Sequence, residues 1–321
     1  SKSFRRNESF VTSVRIFVCP LNVHRSSVSI PLFRLYYRRS GESLMSPWKV
    51  IGIIALAAGT GYGLARQVVF KQEDPPYRGL DANLYMQISA EYRALCFQTY
   101  ALATLRLKEK LPDALIESTS GTKKGKTPAV ILDLDETVLD NRGYQSTVLR
   151  DLGGGFHPAL WTNWESEEHA NEVPLVPGAK EFLDTCRKCQ VAVVYISNRT
   201  ERQRAGTMAV LSKLEINVPE DQLLLNDSAL SSDKTARRAK ALDKFNVILH
   251  VGDNLRDFDE SFKYDKASGS EGRKAIADRE RSKFGTEWII LPNPAYGEWA
   301  KAGGNGLKDL GLLSPSVNLK P

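Results

Sequence analysis

The chain has 321 residues, 42% apolar and 26% charged, a composition that excludes a fibrous or wholly disordered protein and gives room for one large α/β domain or two small ones. Its formal net charge of +6 is confined to the amino end: residues 1–49 carry nine Lys/Arg against two Asp/Glu, and the remainder carries 35 against 36. A nearly neutral body offers no broad basic surface, so a nucleic-acid polymer is not an expected partner.

Residues 1–44 are rich in Arg and Ser and lack a core pattern. They read as a disordered basic tail, an organelle transit peptide, or translated sequence upstream of the true start, and Met45 favours the last. Met45-Ser-Pro-Trp-Lys49 gives a positive flank to the apolar residues 50–65. That run is shorter than the roughly 20 residues of a comfortable spanning helix. Residues 45–71 are therefore expected to be a signal peptide or a short membrane anchor, with the protein exported, periplasmic or anchored facing outside the cytoplasm.

Pro75-Pro76 marks a linker into a helical segment, residues 72–128. Leu84, Ile88, Leu95, Leu102 and Leu105 recur at helical spacing and predict one long amphipathic helix, with Cys96 in the core and Pro112 as its end. Residues 129–132 are four consecutive apolar side chains, the pattern of a strand buried on both faces of a parallel sheet. Asp133 and Asp135 stand at its carboxyl end, where ligands bind in open α/β sheets. Like charges so close are costly unless a cation or a shared proton relieves them. The pair thus predicts either a divalent metal site or an acid/base couple.

Residues 141–177, with Gly153-Gly-Gly155 and the aromatics Phe156, Trp161 and Trp164, have no strand pattern and read as a helical and loop insertion over the strand ends. Next come a helix at 180–189, a second buried strand at 191–197 ending in Ser197, Asn198 and Arg199, and a helix at 201–214. A short strand at 222–225, a basic helix at 234–245, a third strong strand at 247–253 and a last strand at 288–291 complete the series. Strands alternating with helices predict a Rossmann-like parallel α/β sheet with helices on both faces and a small helical lid, spanning 129–300, with 301–321 as a tail. Cys186-Arg-Lys-Cys189 is a lone pair, so zinc is not expected and two unrelated thiols are preferred to a disulfide. His157, His169 and His250 have no ligand spacing.

Three strands thus deliver Asp133, Asp135, Ser197 and Asp253 to one edge, with Lys234 at the start of a nearby helix. Phosphoryl transfer needs such parts: a carboxylate nucleophile, a hard cation on carboxylate oxygens, a hydroxyl and an ammonium for the non-bridging oxygens, and a second acid for the leaving oxygen. Asp133-Leu-Asp-Glu-Thr137 resembles the first motif of the haloacid dehalogenase superfamily, and Ser197, Lys234 and Gly252-Asp-Asn-Leu-Arg-Asp257 stand where its other motifs fall. Leu132-Asp-Leu-Asp-Glu-Thr-Val-Leu-Asp-Asn141, Ser89-Ala-Glu-Tyr-Arg-Ala-Leu95, Ser197-Asn-Arg199, Val251-Gly-Asp-Asn-Leu255 and Leu291-Pro-Asn-Pro-Ala-Tyr-Gly297 resemble class C acid phosphatases, the bacterial lipoprotein e type with 5′-nucleotidase activity.

The resemblance runs from about residue 82 to 299. It implies Asp133 as nucleophile and Asp135 as general acid and then base. Mg²⁺ would be held by Asp133, Asp135 through its backbone carbonyl, and Asp253, with Asp257 supporting the metal's water shell or orienting Lys234. Ser197, Asn198 and Lys234 would grip the phosphoryl group, and Tyr144, Trp161 and Tyr296 would enclose a nucleoside, while Trp164 and Trp299 are expected in the core. The implied activity is a Mg²⁺-dependent acid phosphatase acting on phosphomonoesters, nucleoside 5′-monophosphates first, through an aspartyl-phosphate. The alternatives are a sugar-phosphate phosphatase or phosphotransferase on the same scaffold, or a storage relative that has lost catalysis; the presence of Asp133 and its partners argues against the last. No cysteine directly follows the apolar segment for lipid attachment. Arg142 and Gly143 depart from the small residue and proline common there. Nothing in the sequence indicates an oligomeric state.

Overall fold

The computed structural model describes residues 79–227 and 231–303. The readings of residues 1–44 and 45–71, and of nearly all the tail, lie outside the described residues. Among those described, no helix is long and apolar enough to cross a membrane.

Five strands form one parallel sheet: β1 (Pro128–Leu132), β2 (Ala192–Thr200), β3 (Leu223–Asn226), β4 (Asn246–Gly252) and β5 (Trp288–Ile290), in the order β3-β2-β1-β4-β5. The chain fills one side of β1 and then crosses to fill the other, so the crevice at the switch point opens between the carboxyl ends of β1 and β4. Strand alternation divides β1 between two cores. Val130 and Leu132 join the larger cluster on one face, whereas Ala129 and Ile131 meet Val194, Ile196, Ala241 and Phe245 on the other. The α/β class and the parallel sheet are as the sequence predicts.

The amino-terminal helix differs from expectation in three ways. It is divided into α1 (Leu80–Ile88) and α2 (Ala90–Thr119), because Ser89 takes extended backbone and its hydroxyl accepts from the Tyr92 amide at 3.0 Å, capping α2. It also continues past Pro112 to Thr119. Tertiary contacts hold those last turns: Ala114 is buried, its carbonyl accepts from Asn246 Nδ2 at 3.0 Å, and the same amide reaches Ser118 Oγ at 3.1 Å. Finally, the buried stripe is Tyr92, Cys96, Tyr100, Ala103 and Leu107, while Leu84, Ile88, Leu95 and Leu105 are exposed. The buried residues also recur at helical spacing, but their flat, small and sulfur-bearing side chains carry less hydropathy than the leucines outside. Cys96 is in the core as expected.

The insertion contains α3 (Arg142–Leu152) and α4 (Pro158–Trp164). Gly153, Gly154 and Gly155 all take positive φ, which ends α3 in a left-handed stretch open to glycine without steric cost. The remaining helices are α5 (Ala179–Lys188), α6 (Arg204–Lys213), α7 (Thr235–Lys244) and α8 (Gly269–Arg279). No residue of α8 is buried, so its sequence carried no apolar period by which to foresee it. Cys96, Cys186 and Cys189 are free thiols. His250 is held neutral by burial, which pushes it down to about 4.

Candidate active site

Beyond β1 the chain makes a tight loop in which the Leu134 carbonyl accepts from Val138 at 2.8 Å and Leu139 at 2.7 Å, with Glu136 in the left-handed region at φ 55°. Such backbone is costly for a residue with a Cβ. Here it is held by buried Glu136 itself, which accepts from the Asn141 amide at 3.0 Å. The loop aims Asp133 and Asp135 in different directions.

Asp133 faces a cluster at the β1/β4 crevice. Lys234 Nζ, at the amino end of α7, donates to Asp133 Oδ1 and, at 2.7 Å, to Asp257 Oδ1. Asp257 also accepts from the Asn254 amide at 2.9 Å, closing a short turn after β4. Asp253 accepts from Asn293 Nδ2 at 2.7 Å. One carboxylate oxygen from each of Asp133, Asp253 and Asp257 lies within 4.8 Å of the others. Burial, outweighing the pull of Lys234 and reinforced by the charges of Asp257 and Asp135, pushes Asp133 up to about 7. Burial, with the charges of Asp257 and Asp133, pushes Asp253 well above the carboxylate range. For Lys234 the order reverses: burial lowers it, but the two carboxylates win and hold it near 12. Three acids thus share one ammonium. An all-oxygen, over-acidic donor set of this kind fits a hard divalent cation such as Mg²⁺.

Asp135 is turned toward cationic and amide donors. Arg199 reaches its Oδ1 through Nη2 at 2.7 Å and Nε at 3.0 Å, Asn141 Nδ2 donates at 2.9 Å, and Ser197 Oγ donates to Oδ2 at 3.3 Å. Burial raises its pKa, but the Arg199 charge and these hydrogen bonds prevail, holding it below the usual carboxylate range. Asn141 is itself aimed by Trp164, whose Nε1 donates to Asn141 Oδ1 at 2.8 Å. Trp164 is buried, as expected.

These groups open into a cavity of about 880 Å³ lined by Asp133, Asp135, Asn198, Lys234, Asp253 and Asp257, with Trp161 and Tyr296 on its wall. Ser197 is wholly buried beneath that wall, its hydroxyl engaged with Asp135, while Asn198 faces the cavity and is oriented by Arg237 Nη2 at 2.8 Å. Tyr144 does not line the cavity. Its ring packs edge-on against Trp161 at 4.8 Å, and its hydroxyl accepts from the His157 amide at 3.1 Å, so it supports the aromatic wall from behind. Trp299, expected in the core, is half exposed; its Nε1 donates to the Asn293 and Tyr296 carbonyls at 3.2 and 3.0 Å, shaping the loop that carries both residues. Sequence reasoning gave no role to Arg199, Asn141, Asn293, Arg237 or Glu165. Arg199, Asn141 and Asn293 sat inside quoted motifs, which was the available signal; Glu165 lay in the insertion without one. Glu165 lines the cavity, and burial, with the Asp135 charge, pushes it up to about 7.

Residues 68–299 match the family described as HAD superfamily, subfamily IIIB (acid phosphatase). The fold is similar to the class C acid phosphatase from Bacillus anthracis, at 32% identity over 71% of this chain and 88% of that one, with a TM-score of 0.61. The same enzyme with tungstate bound is similar over the same shares, with 32% identity and a TM-score of 0.59.

Proposed function

The chain belongs to subfamily IIIB of the HAD superfamily, the acid phosphatases, and is a phosphomonoester hydrolase; we propose that it works with Mg²⁺ through an aspartyl-phosphate on Asp133 and prefers nucleoside 5′-monophosphates. The observation that carries this reading is Asp133 at the β1/β4 crevice, paired with Lys234 and crowded by Asp253 and Asp257. Tungstate, bound by the Bacillus anthracis relative, is a tetrahedral oxyanion like phosphate, which supports a phosphate ester as substrate.

The residues divide the work as follows. Lys234 and Asn198 hold non-bridging oxygens of the ester. An Asp133 carboxylate oxygen attacks phosphorus as the bond to the leaving oxygen breaks, and the Asp135 carboxyl gives its proton to that oxygen. Asp135, now ionised, takes a proton from water as the water's oxygen attacks phosphorus, releasing phosphate and restoring Asp133. Asp133, the Asp135 backbone carbonyl, Asp253 and Asp257 would hold a cation, whose positive charge would keep Asp133 ionised against an anionic ester. Because Arg199 and its companions favour ionised Asp135, the proton needed for the first step is present mainly at low pH, which supports an acidic optimum.

Trp161 and Tyr296 support a nucleoside leaving group, since stacking on aromatic faces accepts any base. The apolar residues 50–65 behind Lys49 support export, or anchoring to a membrane with the site outside the cytoplasm. The test is phosphate release by the full chain from AMP, nicotinamide mononucleotide, a hexose phosphate and p-nitrophenyl phosphate, with Mg²⁺ or EDTA, beside Asp133→Asn. Turnover that needs Mg²⁺, vanishes in the variant and is best on nucleotides is expected. Turnover by Asp133→Asn would remove the aspartyl-phosphate, and faster turnover of the hexose phosphate would favour a sugar phosphatase.

A further inference from the structure

Buried polar side chains almost always find partners. Among the described residues, the buried side-chain atoms without a hydrogen bond are concentrated along one seam, where the end of α4 meets the turn into α6: Glu165 Oε1, Ser166 Oγ, Arg199 Nη1, Thr200 Oγ1, Gln203 Oε1 and Thr207 Oγ1. At the centre of the seam stand a guanidinium and a carboxyl group. Arg199 and Glu165 are 2% and 3% exposed, and Arg199 Nε lies 3.8 Å from Glu165 Oε1, an ion-pair distance too long for a hydrogen bond.

Asp135, Arg199 and Glu165 thus adjoin one another, with Arg199 Nε 3.0 Å from Asp135 Oδ1 and 3.8 Å from Glu165 Oε1. The guanidinium gives its hydrogen bonds to Asp135, and Glu165 lies beside it as a second carboxyl group. A planar cation bonded to one partner can slide along it; a second charge fixed nearby defines where it rests. Glu165 is well placed to be that fixed charge. Its backbone is clamped, since a Cβ on Gly206 would come within 2.0 Å of the Glu165 carbonyl oxygen. Its amide also donates to the Trp161 carbonyl at 3.0 Å, which ties it to a residue of the cavity wall.

We propose that Glu165 is a positioning residue for the expulsion of the leaving group: it sets Arg199 against Asp135 and thereby fixes the carboxyl that protonates the departing oxygen. Glu165 forms and breaks no bond to substrate. The inference rests on the reading of Asp135 as proton donor, and the experiment separates the two.

The readout is dependence on the leaving group, in kcat/KM, which covers the steps through the loss of that group. An alkoxide-like nucleoside oxygen needs the proton; p-nitrophenolate leaves without it. In the full chain with Mg²⁺ at about pH 8, above the value of about 7 to which burial raises Glu165, Glu165→Gln is expected to lose at least about tenfold on AMP and less than about twofold on p-nitrophenyl phosphate, within the range a general acid contributes. Equal losses on both esters, or no loss on either, overturn the proposal. Should Glu165→Gln not fold, Glu165→Asp, which keeps the charge on a shorter arm, is read by the same ratio. Asp135→Asn is the control. If it lacks the asymmetry, the reading of Asp135 fails; if it has the asymmetry and the Glu165 variant does not, only the role of Glu165 fails.

Discussion

A Cβ at residue 252 would stand 2.5 Å from Asp257 Oδ2 and 2.7 Å from its Cβ, so the end of β4 must be glycine if Asp257 is to reach Lys234. Gly252→Ala is therefore expected to displace Asp257, loosen Lys234 from Asp133, lower kcat by at least about tenfold and cost about 1–3 kcal/mol of stability. Steady-state kinetics and urea unfolding read both effects, and a fully active variant would show that Asp257 is not needed where it stands. The same residue illustrates what a sequence can disclose. Asp133, Asp135, Lys234, Asp253 and Asp257 were visible because each sits in a short motif at a strand end or helix start. Their aim was not visible. That Asp135 turns to Arg199 while Asp133 turns to Lys234 depends on the loop through Glu136 and on Asn141, which is set in turn by Trp164 from the insertion. Tyr144 and Trp299 were misplaced for a related reason: an aromatic side chain serves equally as wall, prop or loop clasp, and only its neighbours decide which.

Among the elements, strands were the most legible, since a run buried on both faces has few other readings, and β1, β2 and β4 lie where the apolar runs fall. Helices were less so. The leucine spacing of α1 and α2 pointed to the wrong face, and Pro112 was read as a stop although Asn246 holds the turns beyond it. This makes Pro112 a local misfit tolerated for the sake of packing. It is exposed, so its ring contributes little to the core. Pro112→Ala would restore an amide within α2. Interior proline costs a helix about 3 kcal/mol relative to alanine, and the looser unfolded chain returns about 1 kcal/mol of that. A gain of about 1–2 kcal/mol in urea unfolding, with unchanged kcat, is the expected outcome; a loss would mean that proline sets a bend on which the Asn246 contacts depend.

At the scale of the whole molecule, folding gathers acids that the unfolded chain keeps apart. Burial raises Asp133 from 3.8 to about 7 and pushes Asp253 well above its ordinary value, so without a cation the folded state takes up protons that the unfolded state has released. This contribution to stability is therefore fully present below the unfolded value and is lost as pH rises toward 7. At neutral pH the cation-free protein therefore holds a site that works against its own fold. Asp253→Asn should relieve that repulsion, so in EDTA the variant is expected to melt at or above the temperature of the natural chain. Adding Mg²⁺ reverses the order. A ligand at a hundredfold its Kd stabilises the state that binds it by about 2.7 kcal/mol, and the natural chain keeps all three carboxylates to bind it while the variant does not. Thermal melts of both proteins in EDTA and in Mg²⁺ should thus cross. Parallel shifts in the two proteins would mean that the cation binds away from Asp253, and a natural chain more stable than the variant even in EDTA would mean that Lys234 alone balances the cluster.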